Sequence, residues 1–323
     1  MKPATLSRSA GSPVHKSAKI CVAGSRGMVG SAIAGRLRTE GYENVLGLHR
    51  GEADLTDAVQ VERWFSEHRP DFVFLAAAKV GGILSNDTYS ADFIRDNLLI
   101  QTHVIDAAYR HGAEKFLFLG SSCIYPKHAP QPLTESSLLT GPLEPTNDAY
   151  AIAKIAGIKM MQAYRKQHGF KGISLMPTNL YGPGDHFDLQ NSHVLPALIR
   201  KFHDAKADGA PSVTLWGTGT PRREFLHVDD LADAALFLMD AYDSSEIINV
   251  GVGKDISIAE LAALIQDIVG YEGEIVQDTS KPDGTPRKLM DTSRINALGW
   301  KPKIELREGI AQTLAWYCEE VRK

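Results

Sequence analysis

The stretch that decides the fold is residues 18–30, which reads AKICVAGSRGMVG. A short apolar run at 18–23 leads directly into three glycines spaced three residues apart, and a helix-forming segment continues through Leu37. Glycines in this context let the backbone turn tightly and approach a pyrophosphate, while the start of the helix offers amides to the anion. An ordinary glycine-rich turn is the less favoured alternative after a strand. The pattern predicts a dinucleotide site at Gly24, Ser25, Arg26, Gly27, Met28, Val29 and Gly30.

The first half of the chain alternates short apolar runs with amphipathic stretches. Strands are predicted at 18–23, 44–48, 71–76, 115–119 and 172–176, with helices between them. Such alternation is typical of a parallel sheet covered by helices on both faces. We therefore expect an α/β fold with a Rossmann-type doubly wound parallel sheet, whose strand carboxyl ends form a binding crevice.

Beyond Tyr181 the elements become shorter and glycine and proline interrupt them, which predicts a smaller α/β substrate-binding lobe. Asp229 is the predicted cap of a helix running to Tyr242, and Ser257 with Glu260 forms a capping-box pattern before a helix ending near Gly270. The expected division is a disordered extension at 1–17, a Rossmann domain at 18–180, and a lobe at 181–323 from which some segments return to the first domain.

Composition restricts the partners and the compartment. The 323 residues include 35 basic and 39 acidic side chains, a net charge of -4, so neither nucleic acid nor an anionic membrane is an expected partner. No run approaches the roughly 18 apolar residues that cross a bilayer. The three cysteines lack the spacing of a metal site or a disulfide framework, so we expect no metal and a reducing, cytoplasmic location.

The residues after the second predicted strand favour NADP(H) over NAD(H). NAD-selective sheets place an acidic residue there to hold the ribose hydroxyls, whereas this chain has His49 and Arg50. Arg50, approached by Arg26 from the glycine loop, offers a guanidinium fork to a 2′-phosphate; two solvated surface arginines are the alternative. Further cofactor contacts are expected at the adenine and where small side chains admit the cofactor, although those small residues could also serve packing: Asp54, Leu55, Ala76, Ala77 and Ala78.

Three polar residues suggest chemistry on a carbonyl group. Tyr150 and Lys154 are four residues apart on a predicted helix and therefore share a face. An ammonium beside a phenol favours the phenolate, so Lys154 is expected to lower the pKa of Tyr150. Ser121 follows a strand at the carboxyl edge of the sheet and could share a carbonyl oxygen with Tyr150.

Together these features resemble the extended short-chain dehydrogenase/reductases that act on nucleotide sugars, and within them the GDP-L-fucose synthase family. The more specific motifs span the chain from about Lys19 to Trp316: AAAKVGGI (76–83), LGSSCIYPK (119–127), EPTN (144–147), PTNLYGP (177–183), NSHV (191–194), REFLHVDD (223–230) and KPDGTPRK (281–288).

The resemblance implies a reaction and a division of roles. The family converts GDP-4-keto-6-deoxy-D-mannose into GDP-L-fucose by epimerisation at C3 and C5 and reduction at C4, with Cys123 as the base and His193 as the acid. From the residue types alone, Cys123 is also compatible with a buried apolar filler and His193 with a hydrogen-bonding residue at a helix start. A homodimer built on helices flanking the sheet is the family expectation.

The remaining contacts are expected at both ligands. For the cofactor they are Leu119, Gly120, Lys154, Pro177, Asn179, Leu180 and His193. For the substrate they are Ser121, Ser122, Cys123, Asn179, Val194, Lys201, Trp216, Arg223, Lys281 and Asp283. The cations suit a diphosphate and Trp216 a base, and by resemblance Arg223 is the strongest of the nucleotide contacts. The other nucleotide contacts could as readily be solvated surface charges or core aromatics. A nucleotide-sugar 4-epimerase or 4,6-dehydratase, and a silent dinucleotide-binding regulator, are the rival interpretations.

Overall fold

A computed structural model describes residues 14–189, 192–281 and 283–321 of the chain. Residues 1–13 of the predicted extension lie outside the described residues, while the backbone amide of Val14 donates to the Asp240 carboxylate at 3.0 Å. The strands are β1 Lys19–Ala23, β2 Asn44–Leu48, β3 Phe72–Leu75, β4 Lys115–Leu119, β5 Lys171–Pro177, β6 Asn179–Tyr181, β7 Ser212–Trp216, β8 Arg222–Arg223, β9 Phe225–His227, β10 Ile248–Val250, β11 Ile256–Ser257, β12 Glu274–Asp278 and β13 Arg287–Lys288.

Helices cover the strands and fill the lobe. They are α1 Met28–Thr39, α2 Ala58–His68, α3 Ile83–Thr88, α4 Ser90–Arg110, α5 Asp148–His168, α6 Val194–Asp208, α7 Val228–Ala241, α8 Ile258–Val269, α9 Ser293–Leu298 and α10 Leu306–Trp316. Short 3₁₀ turns occupy Ser122–Ile124, Glu135–Ser137 and Pro145–Asn147, and a π-turn occupies Tyr317–Val321. None of the helices in the described ranges is long and apolar enough to span a membrane.

Six parallel strands form the central sheet in the order β10-β5-β4-β3-β1-β2. The chain moves outward from β1 on both sides, which confirms the predicted doubly wound α/β fold. One hydrophobic core lies under α2, α4 and α5 on one face, and a second lies under α1 and α7 on the other. The crevice therefore opens where β1, β3, β4 and β5 end.

Segments from the second half of the chain complete this sheet. β10 adds its sixth strand, and α7 packs against α1 in the second core. The smaller lobe has its own core under α6, α8 and α10, with the parallel pair β7 and β12 and the small sheet β11-β8-β13. The second half of the chain therefore contributes both to the lobe and, through β10 and α7, to the main sheet.

One predicted helix cap is wrong. α7 begins at Val228, and its N-cap is His227, whose ring nitrogen Nδ1 accepts from the Asp229 amide at 3.3 Å. Asp229 lies in the first turn, where its negative charge interacts favourably with the positive end of the helix dipole but does not cap the helix. The capping box of Ser257 and Glu260 is confirmed, as is the end of α8 at Gly270.

Candidate active site

The glycine loop presses its backbone against the start of the loop that follows β3. Gly24 has φ +90°, and a Cβ built on it would lie 2.7 Å from the Ala77 amide nitrogen. A Cβ on Gly30 would lie 2.1 Å from the Gly24 carbonyl oxygen. Both positions therefore require glycine, because the Ala77 backbone and the Gly24 carbonyl group leave no space for a side chain.

The N-terminus of α1 fits an anionic dinucleotide. Gly27 is the N-cap and brings no side-chain hydrogen bond, and the first turn contains no acidic residue. The free amides and the helix dipole are therefore available to a pyrophosphate.

Two arginines lie at the predicted 2′-phosphate position. Arg26 and Arg50 are exposed, and neither forms an ion pair with a carboxylate of the described residues. Arg26 Nη1 lies 3.9 Å from the position of a Cβ on Gly51, so it reaches the loop after β2. His49 is held by the Gly51 amide, which donates to its Nδ1 at 3.1 Å. The cations fit a phosphate at this edge.

The predicted adenine contacts have local roles as well. The Asp54 carboxylate accepts from the Thr56 amide at 2.9 Å and from the Thr56 hydroxyl at 2.8 Å, and these bonds lower the pKa of Asp54. Leu55 is buried in the first core. Asp54 is therefore a fixed, ionised carboxylate beside the crevice.

Tyr150 and Lys154 share one face of α5, as their spacing predicts. Lys154 Nζ donates to the Leu119 carbonyl at 2.8 Å and lies 5.8 Å from the centre of the Tyr150 ring. Leu119 ends β4, so the carbonyl at the sheet edge fixes the lysine. Burial lowers the pKa of Lys154 to about 8, and the charge of Cys123 acts in the opposite direction.

The pKa of Tyr150 is raised, not lowered. Burial is the largest cause and the charge of Cys123 adds to it, while a side-chain hydrogen bond with Ser121 lowers the pKa. Lys154 is not among the causes of this shift, although its Nζ lies 5.8 Å from the centre of the Tyr150 ring. The expectation that Lys154 lowers the pKa of Tyr150 is therefore wrong for this arrangement.

Ser121 and Cys123 stand on the 3₁₀ turn that follows β4. The Ser121 hydroxyl accepts from the Cys123 amide at 3.2 Å and so caps the turn. Cys123 is partly exposed, and the Asn147 amide nitrogen donates to its Sγ at 3.5 Å. The charge of Cys123 acts on the pKa values of Tyr150, Lys154 and Arg223.

His193 is the N-cap of α6, a helix of the lobe. The His193 side chain is exposed to solvent on one side, while protein on the other side of the ring desolvates it. Burial first and the charge of Lys288 second lower the pKa of His193. Lys288 pairs with Arg223 across β13 and β8. Burial lowers the pKa of Arg223, and the charge of Cys123 acts in the opposite direction.

The predicted nucleotide contacts form a cluster at the ends of β7 and β12. Trp216 is 56% exposed, with Lys201 Nζ 5.2 Å and Lys281 Nζ 5.6 Å from its ring centres. Burial lowers the pKa of Lys201. The Asp283 carboxylate accepts from the Thr218 amide at 2.9 Å and from its hydroxyl at 2.7 Å. An aromatic face between two ammonium groups suits a base and its phosphates.

The other predicted positions lie between these groups. Ser122 is buried in the turn, Pro177 ends β5, and Leu180 packs into the second core from β6. The Asn179 amide donates to the Glu224 carbonyl at 2.8 Å, and Val194 begins α6. A Cβ on Gly120 would lie 2.3 Å from the Met176 methyl group, so a larger residue there would displace the methionine side chain.

Sequence reasoning missed three residues that organise the site. Asn147 contacts the thiol, and Glu144 accepts from Lys127 and from the Thr285 hydroxyl, both at 3.1 Å. Glu224 is fully buried and accepts three backbone amides, among them Met290 at 2.9 Å. Asn147, Glu144 and Glu224 lie in the quoted motifs, which signalled family membership without showing what each side chain touches.

The sequence matches a known family and several of its members. The model of the NAD dependent epimerase/dehydratase family matches residues 20–251. GDP-L-fucose synthase 1 of Arabidopsis thaliana is 59% identical over 317 residues, covering 98% of each chain. GDP-L-fucose synthase of Escherichia coli is 52% identical, covering 93% of this chain and 97% of the other. The chain belongs to the GDP-L-fucose synthases within the epimerase/dehydratase family.

A solved relative supports the same membership in three dimensions. The GDP-L-fucose synthetase of Naegleria fowleri bound to NADP has a TM-score of 0.89 at 28% identity, covering 96% of this chain and 97% of that one. A relative with this fold therefore binds NADP. NADP(H) is also the cofactor that Arg26, Arg50 and the N-terminus of α1 suggest.

Proposed function

We propose that this chain is an NADPH-dependent enzyme that converts GDP-4-keto-6-deoxy-D-mannose into GDP-L-fucose by C3 and C5 epimerisation and C4 reduction. The observation that carries the proposal is the gathering of Ser121, Cys123, Tyr150 and Lys154 where β4 ends and α5 begins. This arrangement places a thiol beside two hydroxyl groups that can hold charge on a ketone oxygen. The names of relatives at 59% and 52% identity agree with it.

The chain's residues would divide the work between proton transfer and charge stabilisation. A 4-keto group acidifies the hydrogens on C3 and C5, so the Cys123 thiolate can take a proton while the C–H electrons move to the ketone oxygen. Ser121 and Tyr150 hold the resulting enolate oxygen, and His193 returns a proton to the opposite face of the carbon. When bound at the α1 N-terminus and the arginines, NADPH supplies the hydride for C4.

Tyr150 is suited to the reduction because it stays protonated. Its raised pKa keeps the phenol neutral near pH 7, so it can donate to the oxygen on which charge develops. The Lys154 ammonium group, held by the Leu119 carbonyl, lies 5.8 Å from the centre of the Tyr150 ring and supplies positive charge there.

The nucleotide half would be held by the lobe. Lys201 and Lys281 are proposed for the diphosphate together with Arg223, Trp216 and Val194 for the base or ribose, and Asp283 for a hydroxyl. The expected boundary between a cofactor domain at 18–180 and a substrate lobe at 181–323 remains part of this proposal. β10 and α7 are then the lobe-side segments that return to the sheet.

Incubation of the protein with GDP-4-keto-6-deoxy-D-mannose and NADPH in heavy water tests the function. NMR of the product should show GDP-L-fucose carrying deuterium at C3 and C5. A product with the original configuration at those carbons, or no product, would refute the proposal.

The rival enzymes are 4-epimerases and 4,6-dehydratases, which share the cofactor loop, the serine and the tyrosine–lysine pair. The partly exposed Cys123 beside Tyr150 favours the epimerase-reductase. A net reductase releases its oxidised cofactor each turnover, so the purified protein should bind and lose NADPH reversibly. A silent regulator would bind NADPH and leave the keto sugar unchanged.

We further propose a cytoplasmic homodimer. Cys123 needs a reducing compartment to act as a thiolate. α4 and α5 pack together on one face of the sheet, and Ile152 on α5 is 44% exposed. Light scattering of the full chain should give twice the monomer mass of 35.3 kDa.

A further inference from the structure

Asn147 stands at the N-cap of α5 without capping it. Asparagine is favoured at this position because its side-chain oxygen accepts a hydrogen bond from the first helical turn. Here no side-chain cap bond forms. The amide nitrogen donates instead to Cys123 Sγ at 3.5 Å, and Oδ1 is buried without a hydrogen-bond partner among the described residues. The side chain is therefore directed to the thiol rather than to the helix.

Both ends of this contact are anchored. The backbone N–H of Asn147 donates to the backbone carbonyl of Glu144 at 3.1 Å. The Glu144 carboxylate is in turn held by Lys127 and Thr285. On the other side, the Cys123 amide is held by the Ser121 hydroxyl at 3.2 Å. Donor and acceptor thus sit on two fixed turns, which preserves their geometry during a reaction.

Other groups interact with the thiol electrostatically. They are Tyr150 and Lys154 from α5 and Arg223 from β8, whose pKa values the charge of Cys123 influences. Lys154 is held by the Leu119 carbonyl and Arg223 by the Thr285 carbonyl at 2.6 Å. The direct hydrogen bond to Sγ therefore comes from Asn147, and a donor to the charged form stabilises that form.

We propose that Asn147 is a positioning residue for Cys123, which donates a hydrogen bond to Sγ, fixes the orientation of the thiol and stabilises the thiolate that removes protons from the sugar. The inference rests on the proposed role of Cys123 as the base. In that step the C–H electron pair passes to the ketone oxygen and the proton to sulfur. Asn147 itself exchanges no proton.

The test follows the alkylation of Cys123 by iodoacetamide against pH on the full chain. Mass spectrometry of the Cys123 peptide separates its signal from those of buried Cys21 and exposed Cys318. Asn147→Ala should slow alkylation at pH 7 by roughly threefold to tenfold, since it removes one donor to a charged acceptor. Asn147→Asp should slow it further, because it places a carboxylate at the sulfur. Thr146→Ala, on the same turn, should leave the profile unchanged.

The order of the variants separates positioning from a structural role. Aspartate has the shape of asparagine and caps helices equally well, so a structural role predicts that Asn147→Asp behaves like the wild type. Deuterium uptake at C3 and C5 should fall in the order wild type, Asn147→Ala, Asn147→Asp, with the Kd for NADPH unchanged.

Identical alkylation profiles in all variants, or a wild-type profile in Asn147→Asp, would overturn the proposal. If Asn147→Ala fails to fold, the isosteric Asn147→Asp carries the comparison alone. Failure of the proposed function is distinct: the wild-type protein would then incorporate no deuterium, whatever the alkylation rates.

Discussion

Desolvation is the largest cause of the pKa shifts at Tyr150, Lys154 and His193. Sequence spacing correctly predicted that Tyr150 and Lys154 share a helical face. It could not predict the direction of the shift at Tyr150, because that depends on the protein around the phenol and on the carbonyl that holds Lys154. Asn147 was missed for the same reason, since its contact with Cys123 joins two turns that are distant in sequence.

The lowered pKa of His193 predicts a pH dependence of epimerisation. An acid that returns a proton to carbon must be protonated, whereas the thiolate that removes a proton must be deprotonated. The pH–rate profile should therefore have a midpoint at the pKa of His193, above which the neutral imidazole no longer supplies the proton. That midpoint should lie below the ordinary value of about 6.5. It can be measured from the rate of deuterium incorporation between pH 5 and 8.

Lys288→Met should move this midpoint upward, because the charge of Lys288 is the second cause of the shift. It should stay below about 6.5, since burial remains. Arg287→Met is the matched control, because the Arg287 guanidinium pairs with Asp255 and does not influence His193. A midpoint that Lys288→Met leaves unchanged would contradict the assignment.

At the scale of elements, the buried strands were the most predictable parts of the fold. β2 and β4 have the predicted bounds, and β1, β3 and β5 differ by one residue at their ends. β10 was missed because three buried residues give no readable period. The cap of α7 was wrong because His227, which ends β9, supplies the acceptor one residue before the helix begins.

The capping box of α8 makes a prediction for stability. Ser257 accepts from the Glu260 amide at 3.1 Å, and the Glu260 carboxylate accepts from the Ser257 amide at 2.9 Å. Ser257→Ala should lower the free energy of unfolding by about 1 kcal/mol in urea titrations. Ser66→Ala is the control, since its exposed hydroxyl donates within α2 and caps nothing. Equal losses in the two variants would show that the box adds no stability.

At the scale of the molecule, the crevice is bridged by side chains from both sides. The Glu144 carboxylate, on the turn before α5, accepts from the hydroxyl of Thr285, whose carbonyl accepts from Arg223 Nη1 at 2.6 Å. Sequence analysis predicted that a lobe faces the sheet and that Arg223 binds phosphate. It could not predict this bridge, because Glu144 and Thr285 are distant in sequence and belong to no helical or strand pattern.

Removing the bridge should affect substrate more than cofactor. Thr285→Val deletes the hydroxyl with little change in volume, so Arg223 should lose orientation and KM for the GDP-sugar should rise roughly threefold to tenfold. The Kd for NADPH should not change, because the hydrogen bonds of Thr285 are to Glu144 and Arg223, which are not among the proposed cofactor contacts. Thr146→Ala is the control, because it removes a hydrogen bond to the Glu144 carboxylate from a residue of the same turn and leaves the bond to Thr285 in place. A rise in KM as large in Thr146→Ala would contradict the bridge.

In the proposed reaction Cys123 moves protons while Ser121 and Tyr150 stabilise the ketone oxygen. The most direct test compares wild type and Cys123→Ser, each incubated with GDP-4-keto-6-deoxy-D-mannose and NADPH in heavy water, by NMR of the sugar product. We predict deuterium at C3 and C5 with the wild type, and its suppression with Cys123→Ser at an unchanged Kd for NADPH. Wild-type deuterium uptake by Cys123→Ser would contradict the account.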